Sequence, residues 1–182
     1  MYALKNTVPA RSQTVTVLQN EVTSAIMELS YSGGYSMIQL REITRENLDD
    51  ILALDIREEQ RRFVSLAAQS LAQAYVYRDT AFPFAVYDGD RAVGLIMLGY
   101  YEAKDCYTLW KFFIDKRYQH MGYGRKALEL GIAFLKERFG ASEVYTGVIP
   151  ENDTAKRLYS SVGFEFTGLF ENGMEEMRLT LS

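Results

Sequence analysis

The sequence predicts an α/β fold with mixed α+β character, in which one mixed sheet is flanked by helices. Three observations carry this: strict apolar alternation from Met37 to Ile43, a switch from helical to strand spacing near Pro83, and an Asp88-Gly89-Asp90 turn between two apolar runs. At roughly 150 residues per domain, 182 residues make one domain, or one domain with an appendage.

Residues 1–36 carry only Lys5, Arg11, Glu21 and Glu28 as charges, with many Ser, Thr and Gln. They read as a loosely attached N-terminal extension, and the domain proper spans 37–182. Met37 to Ile43 is the first strand. Thr44-Arg45-Glu46-Asn47 supplies a cap before Leu48, Ile51, Leu52 and Ile56, an apolar set at helical spacing, and a second helix is expected from about Glu58 to Tyr77. Pro83 to Tyr87 and Arg91 to Tyr101 pair as a hairpin, and Cys106 to Asp115 is a further strand rich in β-branched and aromatic residues. Gly122 to Arg138 is helical, with Ala127, Leu128, Gly131, Ile132 and Leu135 inward, and Gly140 ends it. Glu143 to Ile149 is a strand and Asn152 to Ser161 a short helix closed by Gly163. Phe164 to Phe170 and Glu176 to Leu181 form the last hairpin.

Composition excludes several classes. The chain is 48% hydrophobic, enough for a sizeable core, and its 20 Lys and Arg against 24 Asp and Glu give a net charge of −4. That balance provides no broad polycationic surface for nucleic acid and is compatible with a cationic substrate. Cys106 is the single cysteine and His120 the single histidine, so neither a disulfide framework nor a Cys- or His-rich metal centre is expected. Cytoplasm is the natural compartment for such cysteine usage. The longest apolar stretch, Ala92 to Tyr101, is far short of the roughly 20 residues a membrane helix needs.

The chemistry concentrates between a strand and a helix, in Gln119-His120-Met121-Gly122-Tyr123-Gly124-Arg125-Lys126. Two glycines permit positive φ and close backbone approach, and the first turn of the next helix presents N–H groups backed by its dipole. A phosphate-bearing cofactor fits there; glycines that only turn the chain into a helix are the other reading. Gly122-x-Gly124-x-x-Ala127 formally matches a dinucleotide fingerprint, with Glu143 about the right distance downstream. Glu143 begins its strand, however, whereas the ribose-binding acid belongs at a strand's carboxyl end. No Gly-x-x-x-x-Gly-Lys-Ser/Thr occurs.

A second cluster, Pro150-Glu151-Asn152-Asp153-Thr154-Ala155-Lys156-Arg157-Leu158-Tyr159-Ser160-Ser161-Val162-Gly163-Phe164, follows the next strand. Together with Gln119-x-x-Gly122-x-Gly124 it resembles the GNAT superfamily of acetyl-CoA-dependent N-acetyltransferases, over about Met37 to Ser182. Glu58-Glu59-Gln60, Phe63-Val64, Ser70 to Tyr75 and Tyr118-Gln119 look like bacterial diamine and spermidine/spermine acetyltransferases. The resemblance implies a central, mostly antiparallel sheet, acetyl-CoA as co-substrate without a metal, and a small primary amine, above all a polyamine, as acceptor. Acetylation of a peptide or protein amine is the alternative within enzymes. A non-catalytic acyl-CoA-binding regulatory module is the alternative outside them.

Residue by residue, the resemblance implies that Gln119, His120, Met121, Gly122, Tyr123, Gly124 and Arg125 hold the CoA diphosphate. The backbones of Phe112, Phe113 and Ile114 serve the pantetheine and thioester. Asn152 and Ala155 border the cofactor arm, although Asn152 also reads as a helix cap, and Tyr159 protonates the leaving thiolate. Glu58 and Glu59 open the second helix, where acids suit the dipole and could equally capture a polyamine's second ammonium. Some relatives place a glutamate base on the central strand, but Cys106 to Asp115 contains none. A water relay ending on Glu58, Glu59, Glu102 or a tyrosine is left open. So is the role of Trp110, as core indole or as cation–π wall of the amine site. An edge-strand dimer and a monomer look alike in the sequence.

Overall fold

The computed structural model describes residues 30–33 and 36–181. Most of the expected N-terminal extension therefore lies outside the described residues. Strands β1 (Ser30–Gly33), β2 (Ser36–Glu42), β3 (Ala81–Asp88), β4 (Arg91–Tyr101), β5 (Cys106–Ile114), β6 (Glu143–Val148), β7 (Glu165–Glu171) and β8 (Met174–Thr180) form one sheet. Its order is β1-β2-β3-β4-β5-β6-β8-β7, so β2 to β8 make a seven-stranded body that the short β1 extends at one edge. β1 pairs with β2, and the boundary expected at Met37 falls inside that hairpin. All neighbours are antiparallel except β5 and β6, which gives the mixed, mostly antiparallel sheet expected.

The helices are α1 (Leu48–Leu52), α2 (Ala67–Val76), α3 (Tyr123–Phe139) and α4 (Asp153–Ser161). On one sheet face, Ala127, Leu128 and Leu135 of α3 and Tyr159 of α4 pack against Leu40, Phe84, Ile96, Leu109 and Val144. On the other face, Ile51 of α1 and Ala67 and Ala74 of α2 cover Ala85, Leu95, Met97 and Phe113. β4 lies between both layers and is buried from Val93 to Gly99, which is why it reads as a continuous apolar run rather than an alternation.

Two local expectations change. The helix expected from about Glu58 to Tyr77 is a 3-10 turn at Glu58–Gln60, an irregular segment, and then α2. Leu66 is extended (φ −69°, ψ 172°), and the apolar stripe belongs to two segments: Phe63 and Val64 leave the helix and turn toward the open end of the sheet. Asn47 stands at the N-cap of α1 and its carbonyl accepts from the Ile51 N–H at 3.1 Å, but its side chain makes no cap hydrogen bond to the helix. Its Oδ1 accepts from the Thr44 N–H at 2.8 Å and its Nδ2 donates to the Glu42 carbonyl at 2.9 Å, so it ties the loop back to β2.

Candidate active site

The site follows from how β5 leaves its neighbours. β5 pairs with β6 only at Tyr107↔Val144 and Thr108↔Tyr145; beyond that point the two strands diverge. On its other side β5 slips register against β4 between the pairs Met97↔Lys111 and Leu98↔Leu109, leaving Trp110 out of the ladder as a bulge. The bulge turns the strand while β6 stays with β8, and a wedge opens between them. It forms a cleft of about 370 Å³, walled by Leu109 to Ile114 on one side and Thr146 to Ile149 on the other.

The glycine loop closes the wide end. His120 (φ 64°) and Gly122 (φ 80°) are both left-handed, and Gly122 is the N-cap of α3. The first-turn N–H groups of α3 have no acceptor within the helix, and the dipole adds positive potential there. A Cβ on Gly124 would sit 3.5 Å from the Leu158 side chain, an ordinary contact, so α3 and α4 approach closely at this point without excluding a methyl group. Gln119 Nε2 donates to the Ile114 carbonyl at 2.9 Å and to Gln60 Oε1 at 2.8 Å, fixing the loop to the end of β5.

Not every residue of the loop turns into the cleft. Gln119, His120, Gly122, Gly124 and Arg125 line it; Met121 is exposed, and the Tyr123 hydroxyl donates to Asp88 Oδ2 at 2.8 Å, anchoring α3 to the β3–β4 turn. Arg125 borders the cleft while pairing with Glu129 at 3.0 Å. Of the strand residues, Phe113 and Ile114 are buried and Phe112 is half-buried, and the Ile114 carbonyl is already taken by Gln119.

Asn152 Oδ1 accepts from the Ala155 N–H at 3.2 Å, so it caps α4, and both residues line the cleft. Tyr159 lies at the floor, 8% exposed, with its ring 5.8 Å from that of Phe164. Burial pushes its phenol up to about 12, against which the neighbouring Thr146 hydroxyl pulls. Thr146 in turn donates to the Leu109 carbonyl at 3.1 Å across the narrow end of the wedge. Nothing in the sequence marked Thr146, because its role depends on a strand far away in the chain. Leu158 was legible only as the neighbour of Tyr159.

Among the described residues no carboxylate lines this cleft, whereas Lys111, Arg125 and His120 do. Glu58, Glu59 and Glu102 are exposed and stand outside the lining; Glu58 Oε2 pairs with Arg61 Nε at 2.7 Å. Trp110 meets Tyr77 edge-on at 5.6 Å and faces the cleft. Among the described residues no group of acidic, cysteine or histidine side chains could hold a metal, and no helix is long and apolar enough to cross a membrane.

Comparison with known proteins agrees with this geometry. Residues 42–164 match the acetyltransferase (GNAT) family. The spermine/spermidine N(1)-acetyltransferase of Bacillus subtilis (strain 168) is 30% identical over 150 residues, which is 77% of this chain and 96% of that protein. A probable spermine N(1)-acetyltransferase of Bacillus subtilis subsp. natto matches with the same identity and coverage. Among solved structures, a Bacillus subtilis acetyltransferase in complex with CoA has a TM-score of 0.59 at 19% identity, covering 81% of this chain and 99% of that one. A chimera of the Vibrio cholerae spermidine N-acetyltransferase with hSSAT has a TM-score of 0.61 at 21% identity, covering 79% and 94%. At these identities the two structures speak for the fold.

Proposed function

Since the chain belongs to the GNAT acetyltransferase family, we propose that it transfers the acetyl group of acetyl-CoA to a primary amine of a small linear polyamine such as spermidine, spermine or a diamine. The observation that carries this reading is the wedge between β5 and β6, with a helix N-terminus at its wide end and a buried phenol at its floor. The family's use of acetyl-CoA fits the chemistry of the lining: a left-handed glycine cap and Arg125 suit a diphosphate, and a strand edge without a partner suits an amide-rich arm.

In this reading the first turn of α3 binds the diphosphate, and the open edge of β5 pairs with the pantetheine. A backbone N–H among Phe112, Phe113 and Ile114 faces the thioester oxygen, where a well-placed donor contributes about 10²–10³ in rate. The neutral amine attacks the thioester carbon, its surplus proton leaves to water, and the C–S bond breaks. Tyr159 gives its phenolic proton to the departing sulfur. A phenol pushed up to about 12 stays protonated across physiological pH, and the same dry surroundings raise the thiol with it, so donor and acceptor remain matched.

The polyamine preference rests on the Bacillus subtilis relatives, whose names specify spermine and spermidine. The test is free-thiol release from acetyl-CoA across spermidine, putrescine, lysine peptides and aminoglycosides. Spermidine or putrescine should give the largest kcat/KM. Turnover confined to lysine peptides replaces the acceptor class, and acetyl-CoA binding without turnover on any amine points to a regulatory module.

A further inference from the structure

A second cavity, of about 220 Å³, adjoins the cleft and shares Trp110, Thr146, Gly147 and Met174 with it. Its charge is opposite. Where the described residues of the main cleft include Lys111 and Arg125 and no carboxylate, this one holds Glu171 and Glu176 from the β7–β8 hairpin. Between them sits Lys104, whose Nζ is 2.5 Å from Glu171 Oε2 and 3.0 Å from Glu176 Oε2. Glu176 is further fixed by the Thr167 hydroxyl, which donates to Oε1 at 3.0 Å.

Two features converge here, and the charge balance of the first agrees with them. The paired carboxylates already seat a primary alkylammonium on a four-carbon stem, the same chemical group as the end of a diamine or triamine. The cavity borders the acyl cleft along Trp110, Thr146, Gly147 and Met174, so the two lie side by side within the span of a flexible polyamine. The three ionised groups sum to one negative charge, an excess that favours an additional cation.

We propose that Glu171 and Glu176 bind the distal ammonium of the acceptor, and that the Lys104 ammonium occupies this position until the substrate replaces it. This rests on the amine-acetyltransferase reading for its substrate class. It assigns the distal charge to the C-terminal hairpin rather than to Glu58 and Glu59. Specificity follows from two steps: a long polyamine exchanges with Lys104 and keeps both carboxylates paired, whereas a monoamine leaves Lys104 in place and gains nothing there. A coupled expectation is that Lys104 is kept protonated, since both carboxylates hold its pKa above the ordinary lysine range.

The test compares Glu171→Gln, Glu176→Gln and Lys104→Met by calorimetric titration of spermidine and of butylamine into CoA-saturated protein, a readout that needs no turnover. Glutamine keeps size and hydrogen bonding while removing charge. Each glutamine variant should lower the spermidine-to-butylamine affinity ratio about tenfold, one decade per 1.4 kcal/mol. Lys104→Met should raise that ratio several-fold, because it removes the internal competitor. A fall in the ratio in Lys104→Met overturns the proposal by making the cluster a structural clasp, and so does a loss confined to Glu58→Gln/Glu59→Gln. Thermal melts identify any variant that fails to fold, and half-exposed Glu171 provides the single change least able to disturb the fold. Spermidine binding that depends on Glu171 and Glu176 without acetyl transfer would sustain this site while removing the proposed activity.

Discussion

The Thr146 hydroxyl donates to the Leu109 carbonyl at 3.1 Å, bridging β5 and β6 just where their ladder ends. Both residues are buried, and Thr146 also faces the Tyr159 phenol. One side chain therefore pins the narrow end of the wedge and sets the surroundings of the candidate acid. Thr146→Val is nearly isosteric and leaves the Leu109 carbonyl without its donor, so stability should fall by about 1–3 kcal/mol in urea titrations. The Tyr159 ionisation, followed by phenolate absorbance, should move further upward.

Tyr159→Phe keeps the ring against Phe164 and deletes only the hydroxyl. Turnover should drop by about 10²-fold or more while acetyl-CoA affinity changes little. Wild-type turnover in this variant would remove Tyr159 from the mechanism.

The same residue sets an alkaline limit on stability. Its folded pKa, up to about 12, exceeds the ordinary value of 10, so its contribution is complete below pH 10 and is lost as pH rises through 12. At about 1.4 kcal/mol per unit, that is roughly 3 kcal/mol. Unfolding midpoints should decline between pH 10 and 12 in the parent protein and less steeply in Tyr159→Phe.

Gly124 and Gly122 separate space from conformation. A Cβ at Gly124 makes only an ordinary contact with Leu158, so Gly124→Ala should fold normally, whereas Gly124→Glu puts bulk and negative charge into the cleft. Calorimetry should show acetyl-CoA affinity largely lost in the glutamate variant with its melting temperature preserved. Gly122 has open space around it but φ +80°, and Gly122→Ala should cost about 1 kcal/mol in stability through backbone strain alone.

Asp115, at the end of β5, predicts the acid side. Burial raises its pKa, but Arg117, bonded at 2.8 and 3.0 Å, and the N–H groups of Asp55 and Arg117 outweigh that and hold it below the usual range. A depressed carboxylate gives stability that is present above its unfolded pKa and lost as pH falls through the folded one. Asp115→Asn should therefore lower stability at pH 7 by about 1–3 kcal/mol and weaken its fall below pH 4, measured by chemical denaturation across pH.

The sequence by itself determined strands β2 to β8, the hairpin turn, α3 with its glycine stop and the cap at Asn152, because each is written in short-range periodicity or in the conformational demands of a few adjacent residues; Ser30–Gly33, read as part of a loose extension, pairs instead as β1. Through two motifs on either side of one strand it also singled out Gly122, Gly124, Asn152, Ala155 and Tyr159, which the fold brings to one cleft. It misjudged the segment from Glu58 to Tyr77, where an apolar stripe at helical spacing serves two differently oriented segments. Only the tertiary structure decided that Trp110 is bulged out, that β5 and β6 pair for two residues and then part, and that Tyr123 turns away to Asp88. The same holds for Lys104 meeting Glu176 across 72 positions of chain. Such features depend on register and packing between distant strands, energies to which no local window of sequence has access.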